Sequence, residues 1–119
     1  MKITQQSGHI RIDAHVDTVN KSFLNDLVDF IGRTIAGYPE HVPPILLVVE
    51  GPAVNIDPID SIEIWRRAAK KGVQRTKIAY VISGRPFTPV VKFIEIYVLN
   101  RGMQLRFFDN SVDALKWLV

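Results

Sequence analysis

The feature that most constrains this chain is the unbroken apolar run Ile45-Leu46-Leu47-Val48-Val49, held between Pro43-Pro44 and Glu50-Gly51-Pro52. The run shows no alternation of apolar and polar residues, is too short for a helix and ends in β-branched residues. Such a run is the signature of a central strand covered on both faces, as in a sheet with helices packed on it. After Gly51-Pro52 turns the chain, Asp57-Pro58 opens a helix. Asp57 supplies the capping carboxylate, and Pro58 sits at the first helical position, where a missing N–H is no loss. In open α/β sheets, ligands and partners meet the protein at the carboxyl ends of such strands. The functional surface is therefore expected around the loop 50–57, which contains Glu50, Asn55 and Asp57.

The rest of the chain supplies the other elements. Residues 3–16 read as a β-hairpin turning at Ser7-Gly8. In its second arm Ile10, Ile12, Ala14 and Val16 alternate with His9, Arg11, Asp13 and His15, one face for the core and one for water. A first helix is expected over residues 19–36, with Asp17 or Thr18 as its cap. Leu24, Leu27, Val28, Ile31 and Ile35 form its apolar stripe, and Gly37 is placed for a left-handed end. The helix opened by Asp57-Pro58 offers Ile59, Ile62, Trp65, Ala68 and Ala69 to the sheet and stops at Gly72.

A strand follows over Lys77–Ser83, then the loop 83–87 and a third helix from Thr88-Pro89 to about Asn100. That helix carries Val90, Val91, Phe93, Ile94, Ile96, Tyr97, Val98 and Leu99, with Lys92 and Glu95 its charges before Asn100. A helix apolar nearly all round calls for burial nearly all round, so one side needs a neighbouring helix, a partner or a ligand. A last strand over 105–108 precedes a helix capped by Asp109-Asn110, with Val112, Leu115 and Leu118 as its stripe. The order β-β-α-β-α-β-α-β-α predicts an α/β fold with four helices. Its mixed, mostly parallel sheet of about five strands is edged by the antiparallel N-terminal hairpin.

Composition bounds the function. The chain of 119 residues makes one domain spanning 1–119. It contains no cysteine, so neither disulfides nor thiolate metal sites are available. The longest apolar run falls far short of the roughly 20 residues that span a bilayer, and the first residues lack the apolar core of a signal peptide. The chain is thus expected to be cytoplasmic and not an integral membrane protein.

The net charge of +3 is small, and its densest cluster, Arg66, Arg67, Lys70 and Lys71, lies where a helix dipole favours cations. No aromatic interleaving or glycine motif accompanies it, so nucleic acid is not expected as a partner. His9 and His15 are about 20 Å apart along one strand and cannot share an ion, and no metal or cofactor is expected. There is no nucleophile elbow, P-loop or cysteine nucleophile. Glu50, Asp57 and Asp60 are the nearest approach to a catalytic set, and Asp57 and Asp60 already serve the start of a helix. No catalytic residue is assigned.

The ending RGMQLRFFDNSVDALKWL resembles that of SpoIIAA-like proteins, small bacterial STAS-type domains. Those close with a strand, an aromatic-Asp turn and a short helix ending Ala-x-x-Trp-Leu. Here the matching residues are Phe107-Phe108-Asp109 and Ala114 to Leu118. The segment KIAYVIS, followed by an apolar helix, is similar too, and the element order matches over nearly the whole chain. The resemblance implies a sheet packed mainly on one side by helices, with a shape similar to Sec14-type lipid-binding domains. In phosphorylated anti-sigma-factor antagonists the helix after the central strand opens with Asp-Ser, and that serine is the switch. The matching position is Asp57-Pro58, and Ser61 lies about one turn further on, so the resemblance does not extend to a phosphoserine switch.

These observations favour a non-catalytic regulatory or binding module of SpoIIAA-like type. It would act through protein contacts, including self-association as a homodimer. Its surface would comprise Glu50, Asn55, Asp57, Arg85, Phe87, Phe93 and Tyr97, with the three aromatic residues as anchors. The alternative is a binder of a small apolar or lipid-like ligand, held between the third helix and the sheet with Arg85 as a head-group partner. A carboxylate-dependent enzyme using Glu50 and Asp57 ranks third.

Overall fold

A computed structural model describes residues 1–83 and 88–119. The apolar run becomes strand β4, Ile45–Glu50, at the middle of a five-stranded sheet. Around it stand β1 (Lys2–Gln6), β2 (His9–His15), β6 (Lys77–Ser83) and β7 (Gln104–Phe108), in the order β1-β2-β4-β6-β7. The β1-β2 pair is the antiparallel hairpin, with Gly8 at φ 85° in its turn, a conformation that suits glycine. All other pairs in the sheet are parallel: Ile12 stands beside Leu47, Leu47 beside Tyr80, and Tyr80 beside Phe107.

Among the described residues the four α-helices are α1 (Lys21–Ala36), α2 (Pro58–Lys70), α3 (Pro89–Leu99) and α4 (Ser111–Leu118). The first three pack on one face of the sheet, whose buried side chains include Ile10, Ile12, Ile45, Leu47, Ile78, Tyr80 and Ile82. On the other face, among the described residues, α4 presses Ala114 and Leu118 onto Leu46, Ala79 and Val81. That asymmetry follows from chain order, because right-handed β-α-β crossovers carry α2 and α3 to the same side.

Several local expectations are corrected. The first helix starts at Lys21, not residue 19, because Thr18–Asn20 forms a short strand, β3. Its partner is a second short strand, β5 (Ala53–Asn55), within what reads in sequence as a loop. Asn20 takes the capping role assigned to Asp17 or Thr18, accepting the Phe23 N–H at 2.8 Å. Gly37 ends α1 in a right-handed conformation at φ −73°, while Gly72, after α2, is left-handed at φ 92°.

In α2 the buried arc is Ser61, Ile64, Trp65 and Ala68, and Ile59 is exposed. The buried positions follow the i, i+3, i+4, i+7 rule, but the helix is rotated so that a serine lies inside it and an isoleucine outside. In α4, Val112 is exposed and Ala114 occupies the inner position beside Leu118. Gly51 is buried at the exit of β4, where an added Cβ would lie 2.9 Å from Val19 Cγ2. Glycine at this position lets β4 and β3 close on each other.

Candidate functional site

The carboxyl ends of the parallel strands hold a cavity of about 220 Å³. Tyr80 and Ile82 from β6 and Phe107 from β7 form its floor, Ser61 and Trp65 from α2 one wall, and Val91 and Ile94 from α3 the other. Leu24, Val19, Val54 and Ile56 close the side toward α1 and the short β3-β5 pair. Each wall is aimed by its element's period. Tyr80 and Ile82 are alternate residues of a strand, Ser61 and Trp65 lie one turn apart, and Val91 and Ile94 share the inner face of α3. Trp65 meets Tyr80 edge-on at 6.1 Å between ring centres, and Tyr80 meets Phe107 at 4.9 Å. No charged side chain lines the cavity among the described residues.

Two sets of polar contacts set the positions of its walls. Glu95 of α3 is buried, and its Oε2 accepts the backbone N–H of Phe107 at 2.9 Å, while Lys92 Nζ stands 3.2 Å from Oε1. This carboxylate caps an N–H on the outer edge of β7 and fixes α3 against the sheet. Between α1 and α2, Arg67 and Lys71 both reach Asp29 Oδ1, at 3.0 and 3.2 Å, and Arg67 also bonds Asn25. The hydrogen bond from Arg67, followed by that from Lys71, holds the Asp29 carboxyl below the usual carboxylate range. Arg67 and Lys71 of the basic cluster are therefore engaged across the α1-α2 seam, and Arg66 stands 3.9 Å from Glu63 within α2.

The residues singled out from sequence are placed apart. Glu50 ends β4 on the opposite face of the sheet, with its Oε2 3.7 Å from His15 Nδ1. Asn55 is exposed in β5. Asp57 caps α2, its Oδ1 accepting the Ile59 N–H at 2.7 Å. Phe93 is 57 % exposed on the outer face of α3, whereas Tyr97 is half-buried against the core with Arg101 over its ring at 4.3 Å. Arg85 and Phe87 lie outside the described residues. Glu50, Asn55, Asp57, Phe93 and Tyr97 are thus all absent from the cavity lining.

Sequence reasoning located a pocket between the third helix and the sheet but missed Ser61, Trp65, Tyr80 and Phe107. The available signal was a serine within a helix and aromatic residues on the same helix and on two strands, which burial patterns alone do not separate from ordinary core.

Beyond the cavity, α3 carries a second feature. Its buried face is Val91, Ile94, Glu95 and Val98, while Val90, Phe93, Ile96 and Leu99 are exposed. The expected burial nearly all round is not met within the described residues. Among those residues no group of acidic or histidine side chains could hold a metal ion, and no helix is long and apolar enough to cross a membrane. The arrangement defines a class by architecture: a mixed α/β sheet domain with three helices on one face and an apolar cavity at the strand ends. No family model, curated protein or solved structure matches the chain.

Proposed function

We propose that this protein is a non-catalytic binding module whose cavity takes a small apolar ligand. The observation that carries the reading is the cavity itself, with Trp65, Tyr80 and Phe107 as aromatic walls and no charge in its described lining. Apolar pockets at the carboxyl ends of parallel strands are the usual place for a ligand in an α/β sheet. The volume is somewhat larger than the roughly 150 Å³ cavity that holds benzene, which scales to a ligand of about nine non-hydrogen atoms. That volume suits a small ring or short chain better than a whole membrane lipid.

The experiment is a melting series with small neutral apolar compounds, joined to native mass spectrometry after mild purification. A ligand at a hundred times its Kd adds about 2.7 kcal/mol of stability, which reads as a rise of several degrees in Tm that grows with the logarithm of ligand concentration. If mass spectrometry shows no adduct and no compound raises Tm, the reading fails.

A second reading, contact with a protein through α3, has its own observation. Phe93, Ile96 and Leu99 are 57 %, 53 % and 62 % exposed along one helix. A row of large apolar side chains of this kind suits an interface more than open water. Self-association through this face predicts a dimer by light scattering that Phe93→Asp converts to monomer without loss of fold. A wild-type monomer across the concentration series, or a Phe93→Asp dimer, counts against it. The SpoIIAA-like resemblance is compatible with either reading.

A further inference from the structure

Ser61 is unusual for its surroundings. It is 6 % exposed, sits on the inner face of α2 beside Trp65 and lines the cavity. Its hydroxyl makes no hydrogen bond to any described residue. A serine inside a helix commonly bonds back to the carbonyl four residues earlier. Here the Asp57 carbonyl accepts the Ser61 backbone N–H at 3.0 Å, and the side chain is left over. No fully enclosed side-chain nitrogen or oxygen among the described residues lacks a partner, so the Ser61 oxygen is not sealed in apolar packing. It opens onto the cavity, whose other described walls are hydrocarbon and aromatic apart from Thr88 at the start of α3. An unpaired hydroxyl in such a place is costly unless something in the cavity bonds to it.

Resting on the ligand-binding reading above, we propose that the cavity selects a small uncharged molecule bearing one hydroxyl group. The ligand's oxygen exchanges a hydrogen bond with Ser61 Oγ while its apolar body lies against Trp65, Tyr80 and Phe107. A serine hydroxyl both donates and accepts, so it meets an alcohol or phenol equally well. A neutral ligand suits the described lining, which offers no counter-charge to a carboxylate or ammonium leaving water. The cavity and Ser61 therefore divide the recognition. Apolar burial supplies affinity, and one polar contact at the start of α2 supplies selectivity and orientation.

The test is to titrate the full chain with p-cresol, toluene and benzoate at neutral pH, in wild type and in Ser61→Ala, by calorimetry or melting shift. Wild type is expected to bind p-cresol roughly fivefold tighter than toluene, the effect of one net hydrogen bond, and to bind benzoate most weakly. In Ser61→Ala that preference falls to near one. Ser61→Cys, which keeps the size and weakens the hydrogen bond, should lie between the two and serves if the alanine variant is poorly folded. Toluene binding without any preference for p-cresol, or a preference that survives in both variants, overturns the assignment of Ser61 and leaves the apolar cavity standing. Binding of benzoate as tight as p-cresol overturns the neutral-ligand claim. If neither toluene nor p-cresol binds, the ligand-binding reading fails and this proposal falls with it.

Discussion

The two faces of the sheet are packed by different rules. On one, α1, α2 and α3 bury a single continuous core from Ile10 through Phe107, and that core stops short of filling the space at the strand carboxyl ends. On the other, α4 covers a small patch of Leu46, Ala79 and Val81, closed by Ala114 and Leu118. Trp117 and Phe108 border that patch in a tilted aromatic contact, and Lys77 and Arg106 lie over their rings. Interiors are normally packed to crystal density. An apolar gap among the described residues of the larger, better-covered face is thus the departure that needs explaining, and the proposed ligand would fill it. The lesson is that the face with more helices supplies both the stability and the site, while the face with one helix supplies closure.

Substitutions can break or sharpen that contrast. The largest effect is expected at Trp65, which is fully buried and spans core and cavity. Trp65→Ala should cost about 3–5 kcal/mol by urea denaturation and abolish ligand binding. Leu118→Ala, on the smaller face, should cost about 2 kcal/mol and leave ligand binding intact. Equal losses would erase the distinction between the faces.

Adding volume gives the next test. Ala79 is fully buried beneath α4, and Ala79→Leu should cost about 1–3 kcal/mol through overpacking. Val91 faces the cavity, so Val91→Leu has room to extend and should change stability by under about 1 kcal/mol while weakening ligand binding. A large penalty at Val91 would mean that the gap is not open space.

The smallest effect concerns the seam between α1 and α2. Asp29 is held below its ordinary range by Arg67 and Lys71. A carboxylate with a lowered folded-state value contributes stability that is present above its unfolded value and lost as the pH falls through the folded one. Asp29→Asn should therefore lower Tm above about pH 4 and flatten the decline below it, so that the two curves converge in acid. The ion cluster is partly exposed, so salt should shrink the difference. An acid limb identical in wild type and variant would show that the cluster is stabilising neither helix.

Much of the fold was legible because its signals are local. The run 45–49, the hairpin turn at Gly8 and the paired devices Asp57-Pro58 and Thr88-Pro89 each mark an element by their own chemistry. The strands β3 and β5 were not legible because neither has a pattern of its own. Thr18–Asn20 becomes a strand only because Ala53–Asn55 comes beside it, and Gly51 permits that approach. The site failed to read for a related reason. Ile59 is more apolar than Ser61, so hydrophobicity orients α2 the wrong way, and the observed rotation is fixed by Trp65, Ile64 and Ala68 meeting the sheet. Glu50 read as part of the site from its place in the chain, yet strand alternation points it to the opposite face beside His15.

The most direct test of the ligand-binding claim is a methyl-labelled NMR titration of the full chain with toluene, which does not depend on Ser61. The account predicts saturable shifts at the methyl groups of Leu24, Ile82, Val91 and Ile94, with those of Leu46, Val81 and Leu118 unmoved. Absence of shifts at saturating toluene, or shifts centred on the α4 face, would contradict it.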